Sequence, residues 1–524
     1  MSEPNDSIIG ESTANSATPD ENKVEVVDSL DESTDIASDE TSTNDEVVED
    51  AKDDKETPPT VDEIGNQPEI DNSDNIVEAG LAEVQIKDLE IVAVSQHPMD
   101  GEILLQANQN HKKEETAVPT KPLTNEEVTE HTASLWTYLP IPSDEPEAVP
   151  EYINSTIRFP GSKIIGARVR GKKHKHEGTN CDDWYEVANY EQITFVAVSD
   201  GAGSKKFSRI GARESCKAAV GYLVSSFEKL FADKPELKDD LSLPLSESKC
   251  MEACGVLAGA VQQSVIKAHE AVEAAFYSRK TNPEYEKVLG RALQFKDLSG
   301  TLLITVIIPI SESSKEKLVI SCQIGDGMIA VLDSEGEFTK SMKLMGVPDS
   351  GDFSGETDFL TSSQMKNLET LQHRTKIART SIDTVMVMSD GVADDYFPNE
   401  TEMRRLYFDL IVNGVLDESN EMLSLSSLTQ AQMKLFKRVP DPLVYPWVND
   451  QSVKIPIQYT KRIEESLGMT LEDIWKDRTV LDLAKIELAE AIKGEDPSER
   501  LKVWLDNYVE RGSFDDRTLV VVTM

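Results

Sequence analysis

The sequence predicts an α+β layered domain behind a long acidic lead. Three observations predict it. The acid excess sits at the front: the 524-residue chain carries a formal charge of −43, and residues 1–150 hold 38 acidic against 7 basic residues, about −31 of that total. Behind the lead, apolar runs rich in Ile and Val recur in groups, the pattern of buried strands. Between two groups lie two long stretches with apolar residues at three- and four-residue spacing, one directly after the other. Grouped strands with consecutive helices suit layered α+β packing better than a regular βαβ alternation.

The elements follow in order. Residues 1–131 are rich in Asp, Glu, Ser, Thr, Asn and Pro, and no aromatic occurs before Trp136. Such a segment buries too little apolar surface to offset its ordering entropy, so a disordered tail is expected. Ala79 to Gln106 is less polar and reads as linker. Residues 132–159 read as a lead-in, and the folded domain is expected over 160–524. Strands are expected at Lys163–Val169, Gln192–Ser199, Thr301–Ile308, Leu318–Ile324, Met328–Leu332, Val385–Ser389 and Thr518–Thr523. Helices are expected at Ser208–Phe231, Lys249–Arg279, Met403–Val415, Thr479–Ile492 and Leu501–Val509. The segment at about 397–512, with its Pro-rich Val439 to Trp447, reads as a helical insertion: a lid, a partner surface or a structural excursion.

Composition excludes several functions. A net charge of −43 argues against binding nucleic-acid phosphate or anionic lipid, both of which need clustered positive charge. The longest apolar run, Leu302 to Ile308, is broken by Thr305, whereas a bilayer span needs about 20 apolar residues. The first residues show neither a basic nor an apolar leader segment. The five cysteines are odd in number, and Cys250 and Cys254 lie one helical turn apart, which suits buried thiols. A reducing, cytoplasmic location is expected.

The chemistry gathers at strand ends. Three apolar strands run into an Asp-Gly pair: Asp200-Gly201, Asp326-Gly327 and Asp390-Gly391. Asp182-Asp183 precedes the strand leading to Asp200, and Asp515-Asp516 precedes the last strand. A lone Asp-Gly is usually a turn. Five acidic groups on rigid strand ends can converge, and converging carboxylates repel unless a cation compensates them. Hard oxygen ligands without His or Cys point to magnesium or manganese. Glycine beside each Asp permits close backbone approach.

These strings resemble a known family. SDGAGS, SGTLLITVII, IGDGMIAVL, VMSDGVADD and DDRTLVVV, in this order, look like the motifs of the metal-dependent protein phosphatases of the 2C type. GKKHKHEGTNCDD at Gly171–Asp183 and GDFSGETDFLT at Gly351–Thr361 resemble the family's bacterial branch. The resemblance spans about residues 160–524. It implies a four-layer αββα sandwich, with two antiparallel sheets flanked by helices.

The resemblance also implies roles. Asp200 corresponds to the Asp bridging two metals, and the Gly201 carbonyl to a neighbouring ligand. Asp390 and Asp515 correspond to the other direct carboxylate ligands. Asp182 and Asp183 match an acidic pair that holds metal-bound water or supports the ligands. Asp326 and Asp394 match positions that bind a third metal in some members. The implied cofactors are two Mn2+ or Mg2+ ions, with that third in some cases. Such paired ions sit about 3.5–4 Å apart, activate water and clamp phosphoryl oxygens. The implied activity is hydrolysis of phosphoserine and phosphothreonine in proteins, with phosphoprotein substrates, an opposing Ser/Thr kinase and a monomeric enzyme. Two departures stand out. Animal members place an Arg four residues before the acidic pair, where this chain has Gly178, and a frequent His two residues after the bridging Asp is Ala202 here. His174 occupies the place of a His in the bacterial branch and is the candidate for contacting phosphate or protonating the leaving oxygen. Arg170 is a second phosphate-binding candidate. Lys172, Lys173, Lys175 and His176 read as a solvated basic loop around it. The departures leave an alternative from another class: a pseudophosphatase that binds phosphoproteins or partners without turnover.

Overall fold

The structure, a computed structural model, describes residues 137–311, 314–346, 358–396, 400–416, 429–437, 458–489, 495–507 and 514–524. The expectations for the acidic tail, for Ala79 to Gln106, for most of Gly351–Thr361 and for Val439 to Trp447 lie outside these residues. Eleven strands occur among them: β1 Tyr152–Phe159, β2 Ser162–Val169, β3 Trp184–Tyr190, β4 Ile193–Ser199, β5 Leu302–Pro309, β6 Glu316–Ile324, β7 Met328–Leu332, β8 Met342–Leu344, β9 Thr375–Ser381, β10 Thr384–Met388 and β11 Arg517–Thr523. They form two sheets, ordered β1-β2-β11-β10-β7-β8 and β3-β4-β5-β6-β9. Every neighbouring pair is antiparallel.

Side-chain alternation explains the layers. Successive residues of a strand face opposite sides. On β10, Val385 and Val387 pack between the sheets while Met386 and Met388 face helices. On β4, Val196 and Val198 pack between the sheets while Phe195 and Ala197 face the opposite helical layer. Both faces of the central strands are therefore buried, which is why their sequences read as unbroken apolar runs.

Each outer face has its own helices. The Ser208–Asp233 and Ser248–Arg279 helices cover the second sheet, through residues such as Phe227 and Leu257. Phe227 is fully buried and meets Phe195 edge-on at 5.1 Å, so Phe227→Ala would cost about 3–5 kcal/mol. The segment expected as an insertion supplies the layer over the first sheet. Its helices Glu400–Val412, Thr460–Leu467, Leu471–Lys476, Thr479–Ala489 and Pro497–Asn507 bury Phe408, Leu483 and Trp504 against that sheet's outer residues. Its described helices are thus a structural layer of the sandwich.

The lead-in is also structural. β1 pairs with β2 along its whole length. Upstream of it, Glu147 accepts hydrogen bonds from Arg213, Arg279 and Tyr285, tying the segment to three helices. Burial opposes the Glu147 charge, but those donors outweigh it and bring its pKa down to about 2. All five cysteines are free and buried. No helix among the described residues is long and apolar enough to cross a membrane.

Candidate metal centre

One end of the sandwich collects the acidic residues. β4 runs out at Asp200, the β6–β7 turn carries Asp326, and β10 leads to Asp390. Asp182 and Asp183 enter β3, and Asp515 and Asp516 enter β11. Two sets of three come close. Asp200, Asp326 and Asp390 each offer a carboxylate oxygen within 4.8 Å of the others. His174, Asp182 and Asp516 do the same.

Glycine permits this convergence at two positions. A Cβ on Gly201 would lie 2.6 Å from the Asp182 carbonyl oxygen, and one on Gly391 would lie 2.0 Å from that of Asp516. Either substitution would push apart the acidic segments that the fold brings together.

Electrostatics separates the two triads. Burial raises the pKa of Asp200, and the neighbouring charges of Asp390, Asp183 and Asp515 raise it further. Burial also raises that of Asp390, followed by Asp515, Asp326 and Asp183. Asp515 is raised by burial and then by Asp516. Asp516 moves the other way. Burial opposes its charge, but His174 and hydrogen bonds from the Gly171 and Asp182 backbone N–H groups hold it below the ordinary value. His174 Nδ1 lies 2.8 Å from Asp516 Oδ2, and its Nε2 lies 4.0 Å from Asp182 Oδ2. Burial disfavours the His174 cation, yet Asp516, Asp182 and Asp515 together raise its pKa to about 10.

Asp183 sits beneath both sets. Its Oδ2 accepts from Ser389 Oγ at 2.8 Å and Thr518 Oγ1 at 2.7 Å, joining β3 to the ends of β10 and β11. Its Oδ1 and Asp182 Oδ1 are buried with no hydrogen-bond partner. Burial raises Asp182 to about 7 and Asp183 to about 6. Unsatisfied buried carboxylate oxygens beside raised carboxylates fit a site for hard divalent cations.

Other expected residues fall elsewhere. Asp394 is exposed, one turn after Asp390, and its N–H donates to the Asp390 carbonyl at 2.9 Å. Asp515 belongs to neither triad but acts electrostatically on Asp200 and Asp390. Arg170 is fully buried, and its guanidinium donates to Glu151, the Leu139 carbonyl and the His174 carbonyl. It props up the His174 backbone and is committed to protein partners. The basic stretch is a short helix, Lys172–Glu177, and not a solvated loop: Lys172 and Lys175 are buried, and Lys175 pairs with Asp506. Ala202 is buried, with its N–H bonded to the Ser299 carbonyl at 3.0 Å.

Sequence reasoning missed two features. Asp516 stands beside an identical residue, and only strand register decides which carboxylate turns toward His174. The second is a cavity of about 230 Å³ beside His174 and Asp182, bordered by Lys205 and Lys206. Those lysines directly follow the SDGAGS string, and no spacing in the sequence marks them.

A family profile described as protein phosphatase 2C matches residues 170–429. Among solved structures, the chain is similar to a serine-threonine phosphatase 2C from Toxoplasma gondii, at 12% identity over 72% of this chain and 99% of that one, TM-score 0.30. It is similar to the serine/threonine phosphatase Stp1 from Staphylococcus aureus, at 12% identity over 74% and 98%, TM-score 0.26. It is also similar to RsbX in complex with magnesium, at 10% identity over 71% and 99%, TM-score 0.26. No curated protein sequence matches. Through residues 170–429, the chain belongs to the protein phosphatase 2C family.

Proposed function

We propose that the chain is a metal-dependent protein serine/threonine phosphatase. The observation that carries this reading is the convergence of Asp200, Asp326 and Asp390 at strand ends, with no cationic side chain in the set. Asp200, the Gly201 carbonyl, Asp390 and Asp515 would hold two Mn2+ or Mg2+ ions, with Asp182 and Asp183 supporting them. Asp326 and Asp394 would serve a third. Bound ions supply Lewis acidity, lowering the pKa of water and neutralising phosphoryl oxygens.

The protein's own groups do the rest. Asp516 fixes Nδ1 of His174, leaving Nε2, 4.0 Å from Asp182 Oδ2, as the ring's other donor in a residue that borders the adjoining cavity. His174 Nε2–H is placed to donate to a phosphate oxygen or to the departing seryl or threonyl oxygen. A water oxygen bonds to phosphorus as the ester P–O bond breaks, and the alcohol oxygen gains a proton. Lys205 and Lys206 add positive charge for the phosphate's outer oxygens. Substrates would be phosphoproteins made by a Ser/Thr kinase, in a cytoplasmic setting.

Hydrolysis of a phosphothreonine peptide, with manganese and with EDTA, tests the reading. Metal-dependent phosphate release that disappears in Asp390→Asn is expected. Manganese binding without release would instead favour the phosphoprotein-binding module, which the residues at Gly178 and Ala202 permit. Full activity of Asp390→Asn would sink the two-metal assignment.

A further inference from the structure

The opposite end of the sandwich holds a cavity of about 950 Å³, within the size range of small-molecule sites. We propose that it binds a small polyanion of the di- or triphosphate class. Five cations line it, Lys163, Lys315, Lys317, Lys476 and Arg478, against two side-chain carboxylates, Glu335 and Asp383; Lys476 also pairs with Glu472 at 2.8 Å, and Arg478 donates to the Ser334 carbonyl. Both carboxylates are already committed. Glu335 pairs with Lys315, and Asp383 Oδ2 accepts from the Ser334 N–H at 2.8 Å and its hydroxyl at 2.6 Å. Lys317 is half-buried and donates to the Ser314 carbonyl at 3.0 Å. Burial alone lowers its pKa, with no carboxylate offsetting the effect. It also borders a second cavity of about 330 Å³. A cation desolvated in this way is stabilised by a bound anion.

Three layers build the site. Lys163 opens β2, Lys317 lies near the start of β6, and Arg478 follows the Leu471–Lys476 helix with its guanidinium 4.7 Å above the Trp475 ring. β2, β6 and β10 each have their first residues at this cavity and their far ends near the acidic residues. About seven residues at roughly 3.3 Å each separate the two ends by about 20 Å. At that distance no carboxylate of the acidic centre can pair directly with a cation of this cavity, since an ion pair needs about 4 Å. This reading is independent of the hydrolytic function.

Calorimetric titration of the full metal-free chain with inorganic tripolyphosphate, in EDTA, tests it. One equivalent is expected to bind, weakened by about 10-fold or more in Lys317→Glu and in Lys163→Glu. Lys229→Glu, on the exposed face of the Ser208–Asp233 helix, should bind as the parent does. Circular dichroism of each variant separates lost binding from lost folding, and Lys163→Glu, at the half-buried start of β2, is the second reversal if Lys317→Glu unfolds. Absent binding, parent-like affinity in both folded reversals, or loss in Lys229→Glu would overturn the proposal.

Discussion

The two triads at the strand ends differ in one respect: His174–Asp182–Asp516 contains its own cation, and Asp200–Asp326–Asp390 does not. In the first, His174 holds Asp516 ionised and two backbone N–H groups complete its shell. In the second, Asp200 and Asp390 sit under the repulsion of neighbouring carboxylates. The same residue type is therefore a structural anchor in one place and a frustrated group in the other. Charge partners, not burial, make the difference, since the fully buried Asp516 is the one held ionised while the half-buried Asp200 is raised.

Substitutions should split the two sets by sign. The largest effect is expected for Asp390→Asn. It should lower phosphatase activity by roughly 10²-fold or more, because even groups behind metal ligands are worth about 10–100-fold. In EDTA the same variant should melt higher than the parent, since one repelling charge is gone. A lower melting temperature would break the contrast. Asp516→Ala should do the reverse. Breaking its buried pair with His174 should cost about 3–5 kcal/mol by urea denaturation, with or without metal.

Manganese sharpens the contrast further. At 100 times its dissociation constant it should stabilise the folded form by about 2.7 kcal/mol, seen as a rise in melting temperature that Asp200→Asn abolishes. The pH dependence follows. Asp182 and Asp183 are raised to about 7 and about 6 from an ordinary 3.8, so the folded form keeps protons that the unfolded chain has released. That stability is present at low pH and is lost as pH rises through 6 to 7. The metal-free melting temperature should therefore fall from pH 5 to pH 8, and manganese should flatten the fall. An equal slope in both conditions would count against a cation near these residues. The smallest effect is expected for Lys205→Ala with Lys206→Ala: a rise in KM for a phosphopeptide of roughly 10-fold, with folding unchanged.

The legible parts of the sequence were those buried on both faces. β4, β5, β6, β10 and β11 lie between the sheets and helices and therefore read as apolar runs. β1, β3 and β9 are edge strands with half-exposed polar positions, such as Asn154, Glu186 and Arg379, and gave no such run. The acids at strand ends were legible because Asp-Gly follows each apolar run. The burial of Lys172 and Lys175 was not, since it depends on the Pro497–Asn507 helix, and Asp506 lies 331 residues beyond Lys175. The lead-in escaped notice because Glu147 acquires its meaning only from Arg213, Arg279 and Tyr285.

The pairing of β1 along the full length of β2 has a practical consequence for trimming the chain. Removing everything before Pro160 would delete one strand and the Glu147 clasp together. β2 would then present an unpaired row of N–H and C=O groups to the solvent. Unguarded strand edges recruit other strands. A chain cut there should associate edge to edge and elute as oligomers, whereas one cut before Thr137 keeps its guard strand.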